Sequence, residues 1–174
     1  LANKAANLQI QELKKIKKVF NKSFIKAVDL ILNCKGKVIC AGIGKSGLIA
    51  RKISATFSSV GIPSFFCDPA QALHGDMGQI EKKDILIIFS YSGNTSELTN
   101  MLKYANRFRI KIIGVASKPE SILLKASDIK LLLPRVKESD VTGMVPTSST
   151  SITLLLGDCL ATTVISKRKF SKEK

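Results

Sequence analysis

The chain has no tryptophan, few aromatics of any kind and a single histidine, His74. A lone histidine cannot build a zinc site by itself, which excludes self-contained imidazole–metal chemistry, although it can join ligands from a partner subunit. The four cysteines, Cys34, Cys40, Cys67 and Cys159, include no CxxC pair. Buried free thiols in a reducing compartment account for them better than a metal site or a disulfide framework. No apolar run approaches the roughly 20 residues of a membrane span. The first residues lack the charged stretch, apolar stretch and small-residue cleavage site of a secretory signal. A soluble cytoplasmic chain with no membrane partner is the expectation. No internal repeat, low-complexity segment or interdomain linker interrupts the 174 residues. Residues 1–174 therefore read as one domain, long enough to bury a core.

Acidic residues are also scarce. Thirteen Asp and Glu stand against 28 Lys and Arg, leaving a formal charge of +15, which raises the question of nucleic acid. The distribution argues against it. Lysines crowd the first helix (Lys14, Lys15, Lys17, Lys18, Lys22, Lys26) and a charged tail over 166–174 (Lys167, Arg168, Lys169, Lys172, Lys174), with no aromatic platform beside them. A lysine-rich surface that attracts anions generally is the simpler reading, and it also helps gather an anionic small molecule.

Aliphatic residues, by contrast, are plentiful and patterned. Residues 8–32 read as one amphipathic helix within an N-terminal segment 1–32, with Leu13, Ile16, Phe20, Phe24, Ala27 and Ile31 at spacings of three and four. That stripe needs a partner, either the rest of the domain or a second subunit. Short continuous apolar runs follow at 38–41, 64–67, 84–90, 110–116 and 129–133, alternating with helical patterns. Such runs mark strands buried on both faces. The predicted fold is a three-layer α/β/α sandwich around a five-stranded parallel sheet. Right-handed crossovers gather the strand C-terminal ends on one edge, where ligands of open α/β sheets bind.

Two strand-to-helix turns carry unusual chemistry. Gly42-Ile43-Gly44-Lys45-Ser46-Gly47 fits neither GxxxxGK[ST] nor GxGxxG, and tight helix-on-strand packing can require the same glycines. Ser90-Tyr91-Ser92-Gly93-Asn94-Thr95-Ser96-Glu97 sets four Ser and Thr hydroxyls in seven residues at the end of a very apolar strand. Capping a helix needs one of them. A phosphate monoester wants several convergent donors without competing negative charge, and hydroxyls with helix N-terminal amides supply them. A third hydroxyl cluster, Thr147-Ser148-Ser149-Thr150-Ser151, opens the last long helix after Pro146, as a cap or as a second polar rim.

Together with Pro63-Ser64-Phe65-Phe66 and His74-Gly75-Asp76-Met77-Gly78, these motifs resemble, in order and from about residue 8 to 170, the D-arabinose 5-phosphate isomerases of the SIS type. The resemblance implies an SIS fold and a reversible interconversion of D-ribulose 5-phosphate and D-arabinose 5-phosphate. That reaction feeds synthesis of the octulosonate sugar of lipopolysaccharide. It implies phosphosugar binding by Gly44, Ser46, Ser90, Ser92, Thr95, Thr147 and Ser148. It implies active-site roles for Lys45, Glu97 and Glu138, with His74 close by, and no metal or organic cofactor. Glu138 is the candidate base, with a pKa that partial burial would raise. Such domains usually pair, so a homodimer or homotetramer is implied, with the first helix in the interface and a site built partly across subunits. Family members usually carry Asn where Tyr91 stands, so sugar preference can differ here. They also continue into a second histidine and often a pair of CBS domains, which this sequence lacks. Two rivals remain: a phosphosugar-binding regulatory module without turnover, and an isomerase of a six-carbon ketose phosphate. Unaided by the resemblance, Glu97 is as readily a first-turn helix carboxylate, and Glu138 a solvated loop charge.

Overall fold

Five of the predicted apolar runs become strands in the computed structural model, which describes residues 1–168; the tail residues Lys169, Lys172 and Lys174 lie outside them. The strands are β1 (Val38–Gly42), β2 (Ser64–Cys67), β3 (Ile85–Phe89), β4 (Lys111–Ala116) and β5 (Ile129–Leu132). All are parallel, in the order β2-β1-β3-β4-β5. Every residue of β1 and β3 is buried, as the unbroken apolar runs require.

Alternate residues of the strands feed two separate cores. Val38, Cys40, Ile87, Phe89, Ile113 and Val115 pack under α2 (Lys22–Leu32), α3 (Gly44–Ser59) and α6 (Ser148–Arg168). Ile39, Ala41, Leu86, Ile88, Ile112 and Ala116 pack under α4 (Leu98–Arg107) and the short α5 (Ile122–Ala126). The result is the expected three-layer sandwich.

The single helix expected over 8–32 is corrected. It is two helices, α1 (Ala2–Leu13) and α2, separated by a 3-10 run over Lys14–Val19. Lys14, Lys17 and Lys18 stand three and four residues apart, where like charges destabilise a helix. Asn21 then caps a fresh start, its side-chain oxygen accepting from the Ser23 amide at 2.8 Å. The stripe finds its partner within this domain: Ile16, Val19, Phe24, Ala27, Val28 and Ile31 join the core under α6. Phe20, at the break, is instead 43% exposed.

The last helix also departs from expectation. By length and composition α6 is apolar enough to cross a membrane. Its apolar residues Ile152, Leu156, Leu160, Ala161 and Val164 are buried against this domain's own core, which accounts for its composition. The cysteines follow the reading of the sequence. Cys40 and Cys67 are buried, Cys34 and Cys159 half-buried, and all four are free. Burial pushes the Cys40 thiol up to about 12 and the Cys67 thiol to about 11.

Candidate functional site

In a doubly wound sheet of this order the connections leave β1 and β3 in opposite directions, opening a crevice between their C-terminal ends. Register brings those ends level, with Gly42 beside Phe89. Above them lies a cleft of about 360 Å³ lined by Lys45 and Ser46 after β1, by Ser90, Tyr91, Ser92 and Thr95 after β3, and by Glu138 and the start of α6. Both unusual turns and the carboxylate of the third connection therefore meet at one place.

The glycines of the first turn divide between two tasks. A Cβ on Gly47 would lie 2.7 Å from the Gly42 carbonyl oxygen, so α3 sits on β1 only because both residues lack side chains. Gly44 has φ +58 and open space around it, a conformational demand. Gly44 does not line the cleft; its turn presents Lys45 and Ser46, which do. No side chain caps α3, whose leading amides lack intrahelical acceptors and whose first-turn residues Lys45 and Ser46 bring the positive end of the helix dipole to the cleft.

In the second turn, Ser90 is 4% exposed. Its Oγ accepts from the Gly93 amide at 3.1 Å and lies 3.0 Å from Thr95 Oγ1, so it braces the loop while lining the cleft. Ser92 is exposed, with its Oγ accepting a 3.3 Å bond from the Asn94 amide. Tyr91 is no gate. Its hydroxyl donates to the Pro134 carbonyl at 3.1 Å and accepts from the Val136 amide at 2.9 Å, fixing the ring as a wall.

Glu138 is half-buried, and its environment corrects the expectation of a raised pKa. Burial pushes the carboxyl up, but donors of Ser149 and Thr147 outweigh burial and hold it below the usual carboxylate range. Glu138 Oε2 accepts from the Thr147 amide at 2.8 Å, Thr147 Oγ1 at 2.9 Å and the Ser149 amide at 3.2 Å. All three bonds fall on one oxygen. Through these bonds that oxygen anchors the group at the N-terminus of α6.

Several expected site residues lie elsewhere. Thr147 spends its hydroxyl on Glu138 and on the Ser139 amide, which donates to it at 2.8 Å. Ser148 is fully buried, its Oγ without a partner. The faces of α6 explain both. Pro146, Ser149, Thr150 and Thr153 line the cleft at offsets of three, four and seven, the spacing of one helical face, and 147 and 148 fall off it. Ser149 and Thr150 were legible as members of the hydroxyl cluster and Thr153 was missed, because which residues face inward depends on where the helix starts. Glu97 is exposed and outside the cleft. Its own amide and the Ser96 hydroxyl, at 2.8 Å, hold its pKa below the usual value. His74 is exposed at the end of a 3-10 turn, next to Gly75 with φ +124, also away from the cleft. Among the described residues, no group of three or more His, Cys, Asp or Glu could hold a metal ion.

A crevice at the reversal point of a parallel sheet, rimmed by hydroxyls, helix amides, a lysine and a carboxylate, gives this α/β domain the chemistry to hold a small anion. Residues 31–163 match the SIS domain family, and the chain belongs to it. It is 44% identical over 150 residues to the arabinose 5-phosphate isomerase KdsD of Pseudomonas aeruginosa, which covers 86% of this chain and 46% of that protein. With the enzyme of the same name from Francisella tularensis it shares 43% over 169 residues, 95% of this chain and 52% of the relative. The chain thus spans about half the length of these curated relatives. A solved structure of an Escherichia coli CFT073 protein in complex with A5P superposes with a TM-score of 0.94 at 31% identity, covering 99% of this chain and 92% of that one.

Proposed function

We propose that this chain is the isomerase domain of a D-arabinose 5-phosphate isomerase, interconverting that aldose with D-ribulose 5-phosphate. The observation that carries the reading is the convergence of uncharged donors, one lysine and one anchored carboxylate in a single cleft. The identity shared with enzymes of that name supports the substrate, as does the complex of a relative with A5P. The part in octulosonate supply implied by the resemblance goes with this reading.

In the proposed mechanism Ser46, Ser92, Thr95 and the α3 amides hold the phosphate, with Ser90 bracing the loop from behind. Glu138 removes the C2 proton of the aldose, and the electron pair of that bond forms the C1–C2 enediolate. Lys45 or an amide stabilises the charge on O1. The proton returns at C1 and a hydroxyl proton passes from O2 to O1, giving the ketose. Free Glu138 is ionised near neutral pH but weakly basic. A phosphate dianion bound alongside, and the water it displaces, push the carboxyl back up toward the range where a base is effective.

Glu97 and His74 stand outside the cleft of their own chain. We assign them to the site only through a homo-oligomer in which a second copy contributes them. Mixing inactive Lys45→Ala and His74→Ala proteins, then re-equilibrating the subunits, is expected to restore activity if sites are shared. No recovery would remove His74 as a residue supplied by a second copy, and the same mixture with Glu97→Ala in its place decides Glu97.

The decisive experiment is a coupled assay with each sugar phosphate in turn. Turnover of both five-carbon sugars supports the reading, whereas turnover of a six-carbon ketose phosphate alone would replace it. One observation favours a second reading, a sugar-phosphate-binding module without turnover: Glu138 is committed to three donors. Saturable binding of arabinose 5-phosphate with no interconversion would select it.

A further inference from the structure

Glu12 is the only acidic side chain of α1, and it is 3% exposed. Taking a carboxylate out of water is costly, and an apolar side chain of similar size commonly stabilises a core as well. Both partners of this one bear on the segment that presents Glu138. Glu12 Oε2 accepts from the Lys137 amide at 2.9 Å and pairs with Lys15 Nζ at 2.5 Å. Lys15 Nζ in turn lies 3.5 Å from the Arg135 carbonyl oxygen.

The segment needs such partners. After β5 the chain forms neither helix nor strand until α6, so its buried backbone groups must find acceptors elsewhere. The Val136 amide finds the Tyr91 hydroxyl, and the Lys137 amide finds Glu12. One turn earlier on α1, Gln9 ties the same segment to α6: its amide nitrogen donates to Ser139 Oγ, and its oxygen accepts from Ser151 Oγ, each at 3.1 Å. Glu138 thus follows two residues held by Tyr91 and Glu12 and precedes one held by Gln9. Glu12 and Gln9 lie outside the residues that match the SIS domain.

We infer that Glu12 is a positioning residue of the site, fixing from the N-terminal helix where Glu138 stands relative to the bound sugar. The inference rests on the reading of Glu138 as the proton-transferring carboxylate. Loss of the Glu12 acceptor frees the peptide immediately before Glu138, while the loops that hold the phosphate stay in place.

The test compares Glu12→Ala and Glu12→Gln in steady-state isomerisation of both sugars, well below each variant's melting temperature. Misplacement of a reacting group by about 1 Å costs on the order of 100-fold, so Glu12→Ala is expected to lower kcat about 10- to 100-fold with KM within about threefold. In Glu12→Gln the amide oxygen still accepts from Lys137, and kcat is expected within about threefold of the parent, the range of a retained contact. Wild-type kcat in folded Glu12→Ala overturns the inference, because a purely structural role lowers only the melting temperature. Glu12→Gln no better than Glu12→Ala also overturns it, by assigning the effect to the Lys15 ion pair. Should Glu12→Ala fail to fold, Glu12→Asp, which withdraws the carboxylate by one methylene, takes its place with the same expectation and the same reversal. Glu138→Gln runs alongside. Full activity there removes the reading of Glu138 whatever Glu12 does, whereas an inactive Glu138→Gln with an unaffected Glu12→Ala removes only this inference.

Discussion

At the scale of single residues, Glu138 and the two loop serines make separable predictions. Under the proposed function, Glu138→Gln is expected to cut kcat by about 100- to 10,000-fold, the usual worth of a positioned base. Affinity for the sugar phosphate, measured by calorimetry, should change little, and an equal loss of both would remove Glu138 as the base. Its pH behaviour follows from the depressed pKa. A carboxyl lowered by folding contributes stability above its unfolded value of about 4.3, and that contribution is lost as pH falls through the folded value. Denaturant midpoints should therefore drop on acidification below about pH 4.3, less steeply in Glu138→Gln than in the parent. Ser90 and Ser92 differ in burial, so their truncations should differ in kind. Ser90→Ala strips Thr95 of its hydroxyl partner and should cost about 1 kcal/mol of stability as well as raising KM. Exposed Ser92→Ala should raise KM with the melting temperature unchanged.

At the scale of elements, the fit of α3 on β1 is set by glycine. Gly47→Ala brings a methyl against the Gly42 carbonyl, which belongs to a strand paired on both sides and cannot retreat. A loss of about 1–3 kcal/mol is expected from urea unfolding, as for overpacked cores. Because α3 carries Lys45 and Ser46, KM should rise too. A stability-neutral Gly47→Ala would mean that the helix shifts freely. The apolar repeat of the first 32 residues was legible, but its interruption was not. Hydrophobic spacing runs unbroken through Phe20, and the break falls where the lysine cluster meets the Asn21 cap.

At the scale of the molecule, burial separates the four thiols. Thiolates react and thiols do not, so Cys40 and Cys67, raised to about 12 and about 11, should resist a disulfide reagent in the native state. Half-buried Cys34 and Cys159 should be modified first, with the remaining pair released only on unfolding. Rapid reaction of all four would contradict the packing of β1 and β2.

The layering of this protein was determined by its sequence alone. A strand sealed on both faces must be apolar at every position, and a parallel strand needs a helix to return, so the alternating runs leave little choice of architecture. The turn chemistry was legible for a related reason: hydroxyls and glycines crowded at strand ends are costly unless something uses them. What the tertiary structure decided was facing and pairing. Whether Ser149 or Ser148 looks into the cleft depends on the angular start of one helix, and Glu97 fell outside the cleft on the same ground. The depressed state of Glu138 depends on donors of Thr147 and Ser149 folding back onto one oxygen, and the tie through Lys137 to Glu12 closes across 125 residues of chain; local spacing encodes neither.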